Sequence, residues 1–79
     1  MNRGEIMNKL TEVFRDVFDD GSIALTDTTN ADDIEDWDSL SHIALISEIE
    51  DAFNSRFTMK DLFTMRNVGE MIDRIEAFQ

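Results

Sequence analysis

Ser39 is the side chain best placed for chemistry. Asp38-Ser39-Leu40 closes an acidic approach, Asp32-Asp33-Ile34-Glu35-Asp36-Trp37, and opens an amphipathic segment that runs from Leu40 to about Phe53. The periodicity predicts a helix there, starting at or next to Ser39. The first backbone N–H groups of a helix lack partners inside it, and the helix dipole favours negative charge at that end. A serine exposed there is well placed to carry a phosphate. Serine is also a common N-cap, which is the plainer reading of Ser39. Asp38 can cap equally well and suits the dipole, which leaves the serine hydroxyl free.

Other chemistries fit less well. His42 lies three residues after Ser39, which invites a Ser–His nucleophile. A helical wheel puts His42 on the apolar arc with Ile49 and Phe53, and no third group is at hand to orient it. The expectation is a core-edge histidine with one satisfied nitrogen, and no catalysis. Asp16, Asp20, Gly21, Ile23 and Asp27 match the first, fifth, sixth, eighth and twelfth positions of a calcium-binding EF-hand loop. Phe18 cannot ligate at the third position, Asp27 stands where glutamate is usual, and no second loop pairs with this one. The chain has no cysteine. That excludes disulfides, cysteine-based zinc sites and a thiol nucleophile. A thioester could form only on sulfur supplied by an added group.

The elements that must position Ser39 are helical. Asn2 can cap a first helix from Arg3 to Phe18, with Glu5 reaching back as in a capping box. Its stripe is Ile6, Leu10, Val13, Phe14, Val17 and Phe18, and Asp19-Asp20-Gly21 ends it because acids oppose the dipole there. Gly21 to Trp37 reads as a long loop, pinned by Ile23, Leu25, Ile34 and Trp37, with a short turn near Asp32–Glu35. In the second helix Leu45, Ile49 and Phe53 share one arc, with Ile46 and Ile43 at its edge. That arc is expected in the core, and Leu40, Ala44, Ser47, Glu48 and Asp51 in solvent. After the connection Asn54-Ser55-Arg56-Phe57, Thr58 can cap a short third helix, Met59 to about Met65. Asn67 and Glu70 form a capping-box pattern for a fourth, with the stripe Val68, Met71, Ile72, Ile75 and Phe78. No segment alternates with period two. The fold class is all-α: one domain, residues 1–79, forming a four-helix bundle with a long loop between the first two helices and a short third helix.

Bulk properties narrow the partners. Eighteen acids against seven bases give a net charge of −11. Nucleic acid is excluded as a partner, since phosphate binding needs clustered Lys and Arg. A basic protein surface suits the charge, although acids also serve plain solubility. No apolar run approaches the ~20 residues that cross a bilayer, and the N-terminus lacks a signal-peptide core. No membrane association is expected, and the protein reads as cytoplasmic.

The run Trp37-Asp38-Ser39-Leu40-Ser41-His42-Ile43 resembles the attachment motif of acyl carrier proteins. Helix spacing, acidity and length fit the same family, so the resemblance covers nearly the whole chain. It implies that Ser39 holds 4′-phosphopantetheine as a phosphodiester. It implies that a phosphopantetheinyl transferase installs this arm from coenzyme A with Mg²⁺, and that Asp38 assists near the transferase's magnesium ion. It also implies that Leu40, Ser41, Ala44, Ser47, Glu48 and Asp51 form a docking face for basic patches on enzymes that transfer or modify acyl groups. Leu40 would be its apolar anchor. Ser41 and Ala44 stand where acids are frequent in carriers of primary fatty-acid synthesis, which points to a specialised partner set. Trp37 directly before the motif resembles stand-alone carriers of specialised pathways. Within the family an acyl chain can slide between the second and third helices, here beside Ile43, Ile46, Ile49, Phe53 and Ile72, for which core is the plainer reading. The function implied is that of a stand-alone, monomeric acyl carrier for fatty-acid, polyketide or other specialised biosynthesis, with no active site of its own. The alternatives are an acidic helical interaction module without cofactor and, ranked lower, a calcium-binding regulator.

Overall fold

Four helices form, and each starts where a side chain can accept its first N–H groups. The computed structural model describes residues 1–78; Gln79, the last residue of the predicted domain, lies outside them. Helix α1 is Arg3–Val17, α2 is Ser39–Phe53, α3 is Met59–Thr64 and α4 is Val68–Ala77. No strand occurs among the described residues. At α1 the predicted capping box is present: the Glu5 N–H donates to Asn2 Oδ1 at 2.9 Å and the Asn2 N–H to Glu5 Oε1 at 3.2 Å. At α3 Thr58 and Asp61 exchange the same pair of bonds, each 3.0 Å. The turn expected near Asp32–Glu35 is a single 3₁₀ turn, Ala31–Asp33, within the long loop.

Helix ends differ from the sequence reading in one respect. Helix α1 is closed by Asp19 in the left-handed region, φ 51°, while Gly21 has no positive φ. The Asp20 N–H then reaches back to the Arg15 carbonyl at 3.0 Å, satisfying an orphan acceptor of the last turn. Aspartate tolerates this conformation better than most residues because of its short polar side chain. Asn54 ends α2 in the same conformation, φ 51°.

The core is built by three helices. Ile6, Leu10 and Phe14 of α1 meet Leu45, Ile46, Ile49 and Phe53 of α2 and Val68, Met71, Ile72 and Ile75 of α4, all buried. Ile23 and Trp37 of the loop and Met65 after α3 join them. Helix α3 buries none of its residues. Two predicted core residues are corrected. Ile43 is 65% exposed, because the short α3 beside it does not cover that edge of α2. Phe78 is 52% exposed, because it lies past the last turn of α4 and rests edge-on against Phe57, ring centroids 6.5 Å apart.

The long loop is held by the start of α4. The Val68 N–H donates to the Thr29 carbonyl and the Gly69 N–H to the Asp27 carbonyl, both at 2.8 Å. The Glu70 N–H donates to Asn67 Oδ1 at 2.9 Å. Loop carbonyls thus take the orphan donors of α4. The predicted Asn67–Glu70 box forms only in half: the Glu70 carboxylate takes the N–H of Arg66 instead, at 2.9 Å. The chain turns before Asn67, which brings the Arg66 amide within reach. Arg3 ties α1 to the same region, donating to Asp73 at 2.8 Å, Glu76 at 2.6 Å and the Gly69 carbonyl at 3.3 Å.

Gly69 is required by this approach. A Cβ there would lie 2.9 Å from the Asp27 carbonyl oxygen, a backbone atom with no easy escape. Alanine normally favours a helix over glycine. Here Gly69→Ala is expected to destabilise by about 1–3 kcal/mol through the clash and the weakened loop bond. Thermal melting checks this; an unchanged or higher Tm would contradict the close approach.

Candidate functional site

The start of α2 is capped without Ser39. Asp38 Oδ1 accepts the N–H of Leu40 at 3.0 Å and of Ser41 at 2.9 Å. Ser41 Oγ accepts the Asp38 N–H at 2.8 Å and donates to the Asp36 carbonyl at 2.8 Å. This reciprocal box satisfies the N–H groups of Asp38, Leu40 and Ser41. Ser39, the first residue of α2, is exposed and its hydroxyl has no hydrogen bond among the described residues. The Ser41 N–H, followed by the Ser41 hydroxyl and the Leu40 N–H, holds the Asp38 carboxyl below its ordinary range against an opposing effect of desolvation. Asp38 is therefore ionised at neutral pH, next to the serine.

The approach to Ser39 is fixed by Trp37. Its ring is buried and meets Phe14 edge-on, centroids 5.1 Å apart and planes at 84°. The indole Nε1–H donates to His42 Nδ1 at 3.1 Å. The other imidazole nitrogen, Nε2, lies 3.1 Å from the Leu62 carbonyl oxygen. An indole can only donate and a carbonyl only accept, so Nδ1 carries the lone pair and Nε2 the proton. Both nitrogens are engaged, where the sequence suggested one. Neither is left to take a proton from Ser39. The pair is therefore not arranged as a Ser–His nucleophile, and the Ser39 hydroxyl is exposed and free.

An apolar cleft of about 660 Å³ adjoins the serine. Trp37, Ile43, Met59, Leu62 and Phe63 are among its walls, with Asp38 and Ser39. Of the predicted docking residues, Leu40 is 82% exposed, and Ala44, Ser47, Glu48 and Asp51 are exposed as well. Ser41 is set apart: it is half-buried and its hydroxyl serves the cap. Sequence reasoning missed Met59 and Phe63, both exposed on α3. A six-residue helix cannot turn a whole apolar stripe inward, and that was the available signal. Ile46, Ile49, Phe53 and Ile72, candidates for contact with a guest chain, are all buried in the core.

The calcium reading fails on geometry. Asp16 lies inside α1 and Asp20 Oδ1 accepts from the Ser22 N–H at 2.9 Å and hydroxyl at 2.6 Å. Asp27 sits beside Arg3, 3.8 Å away. Among the described residues no group of three or more His, Asp or Glu side chains could hold a metal ion.

Comparison with known proteins bears on the same residues. The family described as "Phosphopantetheine attachment site" matches residues 8–75. Acyl carrier proteins of Lactobacillus acidophilus and Lactobacillus johnsonii are each 27% identical over 79 residues, which is 100% of this chain and 99% of each relative. A holo acyl carrier protein from Geobacter metallireducens, determined by solution NMR, has a TM-score of 0.87 and 42% identity, covering 92% of this chain and 84% of that one.

The Asp38 cap predicts a pH-dependent difference. Its carboxyl titrates lower in the folded protein than in an unfolded chain. Its ionised form therefore stabilises the fold fully above the unfolded chain's pKa, and this contribution is lost as pH falls below it. Asp38→Ala is expected to lower Tm at neutral pH, and Asp38→Asn, which can still cap, to lower it less. The gap between parent and Asp38→Asn closes in acid. Melting curves at both pH values check this; a gap that persists in acid would contradict the charge effect.

Proposed function

The chain belongs to the acyl carrier protein family, defined by a phosphopantetheine attachment site, and from that membership we propose that Ser39 carries 4′-phosphopantetheine and that the chain delivers acyl groups to partner enzymes. One observation carries the assignment of the residue. Asp38 and Ser41 cap α2 between them, and the exposed Ser39 hydroxyl is left without a bond. The residues present fit the group. A phosphodiester on Ser39 would lie at the positive end of a 15-residue helix, with an apolar cleft alongside. When bound, the arm supplies the thiol that this cysteine-free chain lacks, and holds acyl groups there as thioesters. The chain itself is a carrier and not an enzyme.

The partners are a phosphopantetheinyl transferase and enzymes that transfer or modify acyl groups. Asp38 is ionised beside the serine and can assist the transferase near its magnesium ion. Leu40, Ala44, Ser47, Glu48 and Asp51 form the docking face, with Ser41 shaping its first turn. Exposed acids on this face suit basic patches, and such contacts are quick and weak, as a shuttle requires. Ser41 and Ala44 in place of acids favour a specialised pathway over primary fatty-acid synthesis. No helix among the described residues is long and apolar enough to cross a membrane. A monomeric carrier acting in the cytoplasm is the reading that follows.

Intact mass after incubation with coenzyme A, Mg²⁺ and a broad-specificity transferase tests the assignment. The parent gains one phosphopantetheine and Ser39→Ala gains none. A folded parent that gains nothing from an active transferase would instead be a cofactor-free interaction module. For docking, Leu40→Ala is expected to weaken binding to a basic partner roughly tenfold, as loss of an exposed anchor does. Its Tm stays that of the parent, and binding weakens further with salt. Equal losses in melting and binding would remove Leu40 from the docking face.

A further inference from the structure

Helix α3 packs on the core through the half-buried Leu62. None of its six residues is buried. Its tie to α4 is the ion pair of Arg74 Nε with Asp61 Oδ1 at 2.9 Å. Its tie to α2 is different in kind. In a longer helix the Leu62 carbonyl would accept the N–H of Arg66. Here α3 ends at Thr64, and the Arg66 N–H goes to Glu70. The Leu62 carbonyl is thus an orphan acceptor of the last turn. His42 Nε2 fills it from α2 at 3.1 Å.

The donor is itself held from behind. Trp37 Nε1–H fixes His42 Nδ1 as the acceptor, and the two rings stack with centroids 6.0 Å apart and planes at 25°. Trp37 is in turn immobilised by burial against Phe14 of α1. A continuous chain runs from the core through Trp37 and His42 to Leu62. Trp37, His42 and Leu62 are also walls of the apolar cleft beside Ser39.

We infer that His42 is a positioning residue that latches α3 over this cleft, so that the cleft opens by breaking the Trp37–His42–Leu62 chain. The latch is a property of the unmodified protein. Its consequence rests on the carrier reading: the latch sets how readily an apolar group borne on Ser39 enters the cleft. His42 touches neither the serine hydroxyl nor any reacting atom. It acts through the placement of α3.

The test uses amide hydrogen exchange by NMR on the full, unmodified chain, with ¹⁵N observation of the imidazole. The parent is expected to show a bare Nδ1 and a protonated Nε2, with measurable protection in α3. In His42→Ala, α3 amides exchange roughly 3- to 10-fold faster, the effect of losing one net hydrogen bond, while α1 and α4 amides are unchanged. His42→Gln, whose amide N–H can reach the Leu62 carbonyl, restores most of the protection. Trp37→Phe keeps a ring against Phe14 but removes the donor, and the imidazole then shows mixed tautomers. The latch is overturned by a protonated Nδ1 in the parent, by α3 amides already unprotected there, or by no change in α3 on substitution. Equal acceleration in every helix overturns it too, as the sign of a merely global role. Phosphopantetheine loading of the same proteins is read by mass, so failure to load strikes the carrier reading alone.

Discussion

A helix cannot begin without acceptors for its first N–H groups, and the bundle depends on how α2 meets that requirement. Asp38 takes two of those groups and Ser41 returns the favour to Asp38. The Ser41 hydroxyl also reaches the Asp36 carbonyl, which fixes the approach of the chain. Because these two residues close the end between them, the intervening Ser39 has no structural duty. A residue at the positive end of a helix, free of internal bonds, is what attachment chemistry needs. The same arrangement explains why Asp38 is ionised.

The start of α4 solves the same problem with backbone as well as the Asn67 side chain. Thr29 and Asp27 of the long loop supply the acceptors. A loop that would otherwise wander is thereby stitched to a helix on one side, while Trp37 and Ile23 hold it to the core on the other. Gly69 permits the contact, and Arg3 binds α1 to the same corner. The position of Ser39 therefore depends on contacts in the middle of the loop as well as on the adjacent Trp37.

Features governed by neighbours in sequence were legible. The Asn2–Glu5 and Thr58 caps, the start of α2 and the buried arc of Leu45, Ile49 and Phe53 all follow from local spacing. What depends on a third element was not. Ile43 sits at the edge of the arc, and only the brevity of α3 decides that it faces outward. Glu70 has two amides within reach, and the path of the chain selects Arg66 over Asn67. The second bond of His42 comes from a carbonyl twenty residues away, orphaned by a helix end that propensity does not place. At the site the exposed, unbonded Ser39 beside a capping Asp38 was readable from the sequence, but the apolar contribution of Met59 and Phe63 was not.

Helix α3 contributes no buried residue, so its two exposed cleft walls, Met59 and Phe63, are separate from the residues that fold the chain. Substitutions at Met59 or Phe63 alter a surface without opening a void in the core. Substitution is thus tolerated on this wall of the cleft and penalised in the core.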